Sequence, residues 1–195
     1  MNHIWKTAVL GTLVAAMAGA APAAAQTRFD GIPGLTHYGD ADGWQVKKLD
    51  SDDVWYGQAC ILFKDLTPGA NPGQAVYRFE PGEDEVSVSF RFPKPESVPD
   101  PDAVDWGRLD PTDFQYVVNQ TEVHDISGHI GFEYIDASNV YVEFRLDADA
   151  ADVSRMAASE QVGVAVKGAQ QGFGFPTGRA TRAVNLARRC LSSFR

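Results

Sequence analysis

The segment Val86-Ser87-Val88-Ser89-Phe90-Arg91-Phe92 decides the fold class, because every second residue in it is apolar. Successive side chains of a strand point to opposite faces of a sheet, so this alternation is what a strand with one buried face requires. We therefore predict a half-buried β-strand at this position.

Further strand patterns lie on both sides of this segment. They are separated by turn-forming residues such as Pro81-Gly82 and Asp136-Ala137-Ser138-Asn139. Short strands at such intervals are typical of an antiparallel β-sandwich or a barrel-like fold, which is the fold class we predict. The predicted strands cover residues 44–49, 54–63, 75–79, 114–118, 131–135 and 140–146.

The C-terminal part of the chain changes character. An acidic and then alanine-rich run predicts a helix over 149–158, and a strand follows at 161–167. We interpret the glycine-rich residues 168–178 as a connection. Residues 177–194 have the spacing of an amphipathic helix with Thr177 as its N-cap, and its apolar stripe consists of Ala180, Val184, Ala187 and Leu191.

The first 25 residues have the three parts of a secretory signal peptide: basic Lys6, an apolar run over 7–18, and Ala23-Ala24-Ala25. A membrane anchor is the alternative, but the apolar run is shorter than the roughly 20 residues that span a bilayer, and Pro22 follows it. We predict cleavage after Ala25. The mature chain would be a single β-rich domain over 26–195, periplasmic or secreted, with no transmembrane segment.

Cys60 and Cys190 are the two cysteines of the chain. In an oxidising compartment a disulfide is their expected state, whereas free thiols or metal ligands are the alternative. Neither cysteine lies in a CxxC pair or beside a histidine. We predict a disulfide that tethers the C-terminal helix to the Cys60 strand and stabilises the fold by about 5 kcal/mol.

The charge of the chain limits its partners. The 195 residues carry a formal net charge of −9 and no basic stripe, which argues against nucleic acid. A cationic partner suits this charge better, although solubility alone would explain it.

Catalytic motifs are missing from the sequence. There is no G-x-S-x-G and no S-x-x-K arrangement with its partner motifs, and the glycine-rich stretch 168–178 lacks the spacing of a phosphate loop. We expect no cofactor and a non-catalytic role.

One cluster of titratable residues could hold a divalent metal. It consists of Glu122, His124, His129 and Glu133. The two histidines are five residues apart, which would place them on opposite faces of a continuous strand, but we expect a turn at 126–128. Polar residues at the end of a hairpin are the alternative, and we favour it.

Residues 93–111 break the strand pattern with internal prolines and several acids around Trp106. Long ordered loops are often functional, so Trp106 is a candidate ligand contact. The alternative, which we favour, is that Trp106 fixes the loop onto the core.

The order of the C-terminal elements resembles that of the invasion-associated locus B type of small exported bacterial proteins. The resemblance rests on the strand SEQVGVAVKG (159–168), the segment FGFPTGRATRAVNLARRC (173–190), and the early Trp44-x-Val46 and Cys60 strands. Mid-chain cysteines expected from that family are missing here. The resemblance implies a periplasmic β-sandwich without assigned catalysis, and it carries over no catalytic residues.

These observations together predict an exported, non-catalytic binding or scaffold protein that acts through an envelope or secreted protein partner. One alternative is a carrier of a lipid or a small hydrophobic ligand, since small β folds can enclose one ligand. Another is a metal-dependent hydrolase that uses the segment from His124 to His129. The oligomeric state stays open.

Overall fold

The computed structural model of the chain describes residues 31–51, 57–66, 73–94, 109–134, 140–167 and 172–194. These residues form ten strands, two α-helices and a short 3-10 turn at Pro111–Asp113. The strands are β1 (Leu35–Ala41), β2 (Trp44–Asp50), β3 (Gln58–Asp65), β4 (Gln74–Phe79), β5 (Val86–Pro93), β6 (Phe114–Val118), β7 (Glu122–Tyr134), β8 (Val140–Ala148), β9 (Val162–Val166) and β10 (Phe173–Phe175); the helices are α1 (Ala150–Ala158) and α2 (Thr181–Leu191).

All ten strands belong to one antiparallel sheet with the order β1-β2-β3-β4-β5-β8-β7-β6-β9-β10. The long strand β7 joins its two halves, because residues 122–126 pair with β6 and residues 127–134 pair with β8. The predicted mainly β, antiparallel fold is confirmed.

Strand β5 shows how the sequence pattern sets the two faces of the sheet. Val88 and Phe90 are fully buried and point to the main core, on the face that we call the inner face. Ser87, Ser89 and Arg91 point to the opposite face, which we call the outer face. The predicted strand and its alternation are confirmed, but Ser89 and Arg91 on the outer face are also buried, each with 7% exposure.

The sheet turns back on itself, so that its inner face covers its own core. Phe175 of β10 stacks on Phe90 of β5 with ring centroids 4.6 Å apart, although the two strands are far apart in the strand order. Phe173 of β10 lies 5.4 Å from Phe144 of β8 in the same way. This packing of one half of the sheet against the other gives the fold its sandwich-like form.

Helix α2 covers the inner face of the other half. Its buried residues include Val184 and Ala187, and the predicted disulfide is confirmed between Cys60 on β3 and Cys190 near the end of the helix, with Cα atoms 6.0 Å apart. Helix α1 begins as its sequence predicts. The side chain of Asp149 caps it by accepting hydrogen bonds from the backbone N–H groups of Ala151 and Asp152.

The predicted N-cap of α2 is wrong. Thr177 is buried three residues before the true N-cap, Ala180, which makes no side-chain capping bond. The cap comes instead from Asp42, whose carboxylate accepts bonds from the backbone N–H of Arg182 at 2.9 Å and from its Nε at 2.6 Å. Asp42 and Gly43 have φ values of 56° and 74°, the geometry of a tight hairpin turn, and this turn presents the carboxylate to the helix.

The expected turn at 126–128 is also wrong, since β7 runs through these residues without interruption. Gly128 does not form a turn but allows β7 and β8 to approach each other closely. A Cβ atom there would lie 2.6 Å from the backbone oxygen of Arg145 on β8, so only glycine fits the pairing.

Three strands differ from the predictions. The strand predicted at 131–135 begins much earlier, since β7 covers Glu122–Tyr134. Strand β1 lies in a region where none was predicted, and β10 lies within 168–178, which was interpreted as a connection. Residues 1–25, residues 54–56 of one predicted strand, and Trp106 lie outside the described residues. Within the part of the chain that the structure describes, neither helix has the length and apolar character needed to cross a membrane.

We expect the disulfide to supply a large share of the stability. Replacing Cys190 by serine should lower the free energy of unfolding by about 3 to 5 kcal/mol, because the bridge closes a long loop in the unfolded chain. Urea denaturation of the mature protein with and without reductant measures this. Equal midpoints in the two conditions would contradict the expectation.

Capping of α2 by the Asp42 carboxylate should make the free energy of unfolding depend on pH. Burial acts to raise the pKa of Asp42, but hydrogen bonds from the side chain and backbone of Arg182 outweigh it and hold the pKa below its usual range. The cap's contribution is therefore complete above about pH 5 and is lost as the pH falls through the folded-state pKa.

Asp42→Ala should cost about 1 to 2 kcal/mol at neutral pH, since it removes the cap and places alanine at a positive φ. Asp42→Asn is the matched control, because asparagine also caps helices and accepts this backbone conformation. It should keep most of the stability and weaken the acid dependence below pH 5. Thermal unfolding from pH 7 to pH 3 tests this, and parallel curves for wild type and Asp42→Asn would refute it.

Candidate functional site

The outer face carries a polar trough over β4, β5 and β8. Ser87 and Ser89 of β5 form its floor, Arg78 of β4 lies on one side, and Arg145 and Glu143 of β8 lie on the other. The cavity between them has a volume of about 260 Å³. We call this surface the outer-face trough.

Strand register explains why a trough forms here. Ser87 lies opposite Arg78 on β4, and Ser89 lies opposite Arg145 on β8. Small side chains on one strand between long side chains on its two neighbours leave a depression, because directly opposite Cβ atoms are only about 5 Å apart. The depression follows from the serines that occupy the outer positions of β5.

Ion pairs fix charges of both signs along the trough. Arg145 Nη2 donates to Glu143 Oε2 at 2.8 Å, and the Glu143 side chain is only 7% exposed whereas that of Arg145 is 45% exposed. Arg78 Nε donates to Glu80 Oε1 at 2.5 Å. The arginine Nη and Nε groups carry five N–H donors in all, so Arg145 can bind Glu143 and still present donors to a ligand.

A further charged group lies next to the trough, where Arg91 of β5 is paired with Glu143 of β8. The guanidinium of Arg91 lies 3.9 Å from the ring centroid of Tyr141, and Arg91 Nε donates to Glu133 Oε2 at 2.8 Å. Burial raises the pKa of Tyr141, so its hydroxyl stays protonated at neutral pH. These contacts hold the Arg91 side chain, which is 9% exposed, in one place.

The side of the trough formed by β3 and β4 also has an apolar part. Ile61 and Val76 line it and also belong to a second buried cluster on the outer face, together with Leu49, Ala59 and Phe63. The outer-face trough therefore presents charged groups next to apolar side chains.

The structure divides the predicted metal ligands between the two faces of β7. Glu122 and His124 occupy even-numbered positions, on the same face as buried Ile126, whereas His129 and Glu133 occupy odd-numbered positions on the outer face. The two histidines are roughly 17 Å apart along an extended strand. Among the residues that the structure describes, no three His, Cys, Asp or Glu side chains lie close enough to hold a metal ion.

His124 takes part in packing. Its ring stacks on Tyr116 with centroids 4.9 Å apart, and its Nε2 lies 4.0 Å from Glu122 Oε2. Burial and the hydrogen bond to Asp152 raise the pKa of Tyr116 to about 12, and that 2.7 Å bond links β6 to helix α1. Glu133 is bound to Arg91 beside the outer-face trough.

The sequence contained part of the signal for the trough. The polar positions of 86–92 show that Ser87, Ser89 and Arg91 share one face of a strand. Their neighbours could not be deduced, because β8 follows β5 in the sheet only after β6 and β7 have intervened in the chain.

Comparison with known proteins found no relative of this chain. No protein family, curated protein or solved structure matches it. The resemblance to the invasion-associated locus B type stays a prediction.

Metal analysis tests the metal-site hypothesis directly. Since β7 separates the candidate ligands, we expect His124→Ala and His129→Ala to leave the zinc content of the purified mature protein unchanged. Inductively coupled plasma mass spectrometry measures the content. If the wild type contained one equivalent of zinc and both variants lost it, the expectation would be contradicted and the metal-site hypothesis would be supported.

Proposed function

We propose that the protein is an exported, non-catalytic binding protein whose outer-face trough holds a segment of a protein partner of the envelope. The single observation that carries this proposal is the trough itself, in which fixed charges of both signs lie beside apolar side chains. Arginine, of which the trough has two, is enriched at protein-binding surfaces.

The chemistry of the trough indicates what the bound segment carries. The exposed guanidinium of Arg145 can bind a carboxylate or a carbonyl oxygen, and the serine hydroxyls can donate or accept hydrogen bonds. Ile61 and Val76 on the β3–β4 side suit an aliphatic side chain. A segment with a polar residue near an apolar one would match both parts of this lining.

Geometry supports a binding role over hydrolysis for the trough serines. His129 lies opposite Arg145, which lies opposite Ser89, so His129 and Ser89 are separated by two strand spacings. This places the histidine about 10 Å from the serine, whereas a general base must come within roughly 3 Å of the hydroxyl that it activates.

Export is supported by two features of different kinds. The sequence of residues 1–25 has the pattern of a signal peptide, and the Cys60–Cys190 disulfide is of a kind that persists in oxidising compartments. The resemblance to the invasion-associated locus B type agrees with an exported protein.

Blocking the trough tests the proposal. Ser87→Tyr places a ring in the trough at an exposed strand position and leaves the ion pair of Arg145 intact. Ser154→Tyr on the exposed side of α1 is the matched control. Affinity-tagged wild type and variants are cross-linked in the native envelope, and the captured proteins are quantified by mass spectrometry.

We expect Ser87→Tyr to reduce the main cross-linked partner at least tenfold and Ser154→Tyr to leave it unchanged. If wild type and Ser87→Tyr captured equal amounts of the partner at equal thermal stability, the proposal would be contradicted. Recovery of the protein from the cytoplasm alone would contradict its export.

A further inference from the structure

The charges of the chain are divided unevenly along it. Residues 161–195 contain six arginine or lysine residues and no aspartate or glutamate, whereas residues 1–160 contain 11 basic and 26 acidic residues. The formal net charge is therefore +6 for the C-terminal segment and −15 for the rest of the chain. Such an asymmetry is a feature of chains that interact with an anionic partner, such as a membrane or a nucleic acid.

Helix α2 places half of the basic residues of this segment on one side. Its exposed residues include three arginines, while its apolar residues are buried against the sheet. We call this exposed side the basic face, and it consists of Arg182, Asn185, Arg188 and Arg189. No basic stripe is visible in the sequence, because the arginines are interrupted there by the apolar residues of the other side of the helix.

Carboxylates neutralise only part of the basic face. Asp42 accepts hydrogen bonds from Arg182, but the side chain of Arg182 is still 79% exposed and carries further N–H donors. Arg188 and Arg189 are exposed and form no ion pair with the described residues. The negative end of the helix dipole stabilises two cations in the last turn, and it leaves their N–H donors available to a ligand.

The composition of the basic face favours a membrane surface over an acidic protein. Protein interfaces have an apolar core, but the apolar residues of α2 face the sheet and its exposed side presents arginine and asparagine. A guanidinium group matches a phosphate group through two parallel hydrogen bonds. A row of arginines without an apolar centre therefore suits the phosphates of anionic lipids, which attract basic segments electrostatically.

The acidic remainder of the chain does not prevent such an interaction. At physiological ionic strength, exposed charges are screened over roughly 8 Å. An α-helix with its side chains is about 10 Å in diameter. Acidic residues on the outer face of the sheet, which is the face away from α2, therefore lie beyond the screening distance from a surface that contacts the basic face.

We propose that the basic face of α2 attaches the protein reversibly to the surface of an anionic phospholipid membrane. Arg182, Arg188 and Arg189 bind lipid phosphates, and no apolar residue of the helix enters the bilayer. Because α2 covers the inner face and the outer-face trough lies on the opposite face, the attached protein turns the trough away from the membrane. The basic face is separate from the trough, so this inference goes beyond the proposed function.

Vesicle sedimentation tests the attachment. Mature protein is mixed with vesicles of phosphatidylglycerol and phosphatidylcholine in equal amounts, and with vesicles of phosphatidylcholine alone. We expect binding to the anionic vesicles only. Raising sodium chloride from about 50 mM to about 500 mM should weaken this binding at least tenfold, because salt screens exposed charges.

Two charge-matched double variants separate the basic face from the net charge. Arg188→Gln with Arg189→Gln removes two positive charges from α2. Lys47→Gln with Lys167→Gln removes two charges elsewhere, since Lys47 lies on the outer face and Lys167 pairs with Asp125. One arginine near an anionic surface contributes about fivefold to binding. We therefore expect the arginine variant to bind at least tenfold more weakly than the wild type, and the lysine variant to bind within about twofold of it.

Several results would overturn this inference. They are no binding to anionic vesicles, equal binding to phosphatidylcholine alone, and equal losses in the two double variants when both unfold at the temperature of the wild type. Tighter binding to soluble polyglutamate than to the anionic vesicles would assign the basic face to an acidic protein instead. Ser87→Tyr should bind vesicles as the wild type does, so a failure of the outer-face trough in the cross-linking experiment leaves this test independent.

Discussion

Burial of the inner face of the sheet is the constraint on which the rest of the structure depends. A ten-stranded sheet with an apolar face must cover that face, and this chain covers it in two ways. The β10 end of the sheet folds back so that Phe175 stacks on Phe90, and α2 lies over the other half, where the Cys60–Cys190 bond holds it. Two separate solutions are needed because the sheet is too long for an 11-residue helix to cover alone.

Covering the inner face leaves the outer face to carry the candidate site. On β5 the outer positions hold small polar serines, and the long side chains of β4 and β8 rise on both sides of them. At β10 the return of the chain into the core brings Phe173 and Phe175 inward and leaves Gly174 outward at the edge. The same alternation that builds the core therefore creates the outer-face trough.

Sequence patterns identified most of the elements because these patterns are local. Alternation located β4, β5, β6 and β8, and the apolar stripe located α2. The errors occurred where a distant group decided the outcome. Thr177 looks like a cap in the sequence, but Asp42 lies more than a hundred residues away in the chain and performs that role.

Predictions at two glycine-containing positions were wrong for the same reason. Gly128 favours a turn when only its neighbours in the chain are considered, whereas in the sheet it permits close contact with β8. Residues 172–174 look like a loop because glycine weakens a strand, yet pairing with β9 is enough to make 173–175 an edge strand. The outer-face trough was missed for a related reason, since it combines residues from strands that are distant in the chain.

The sequence by itself determined the mainly β class, the position of the terminal helix and the pairing of the only two cysteines. These follow from side-chain periodicity and covalent chemistry, which depend on neighbouring residues and on composition. Tertiary structure alone decided the strand order, the cap of α2, the separation of His124 from His129 across β7, and the convergence of Arg78, Ser87 and Arg145. The physical reason is that strand pairing joins backbone groups without regard to their distance along the chain, so local patterns specify the strands but not their neighbours.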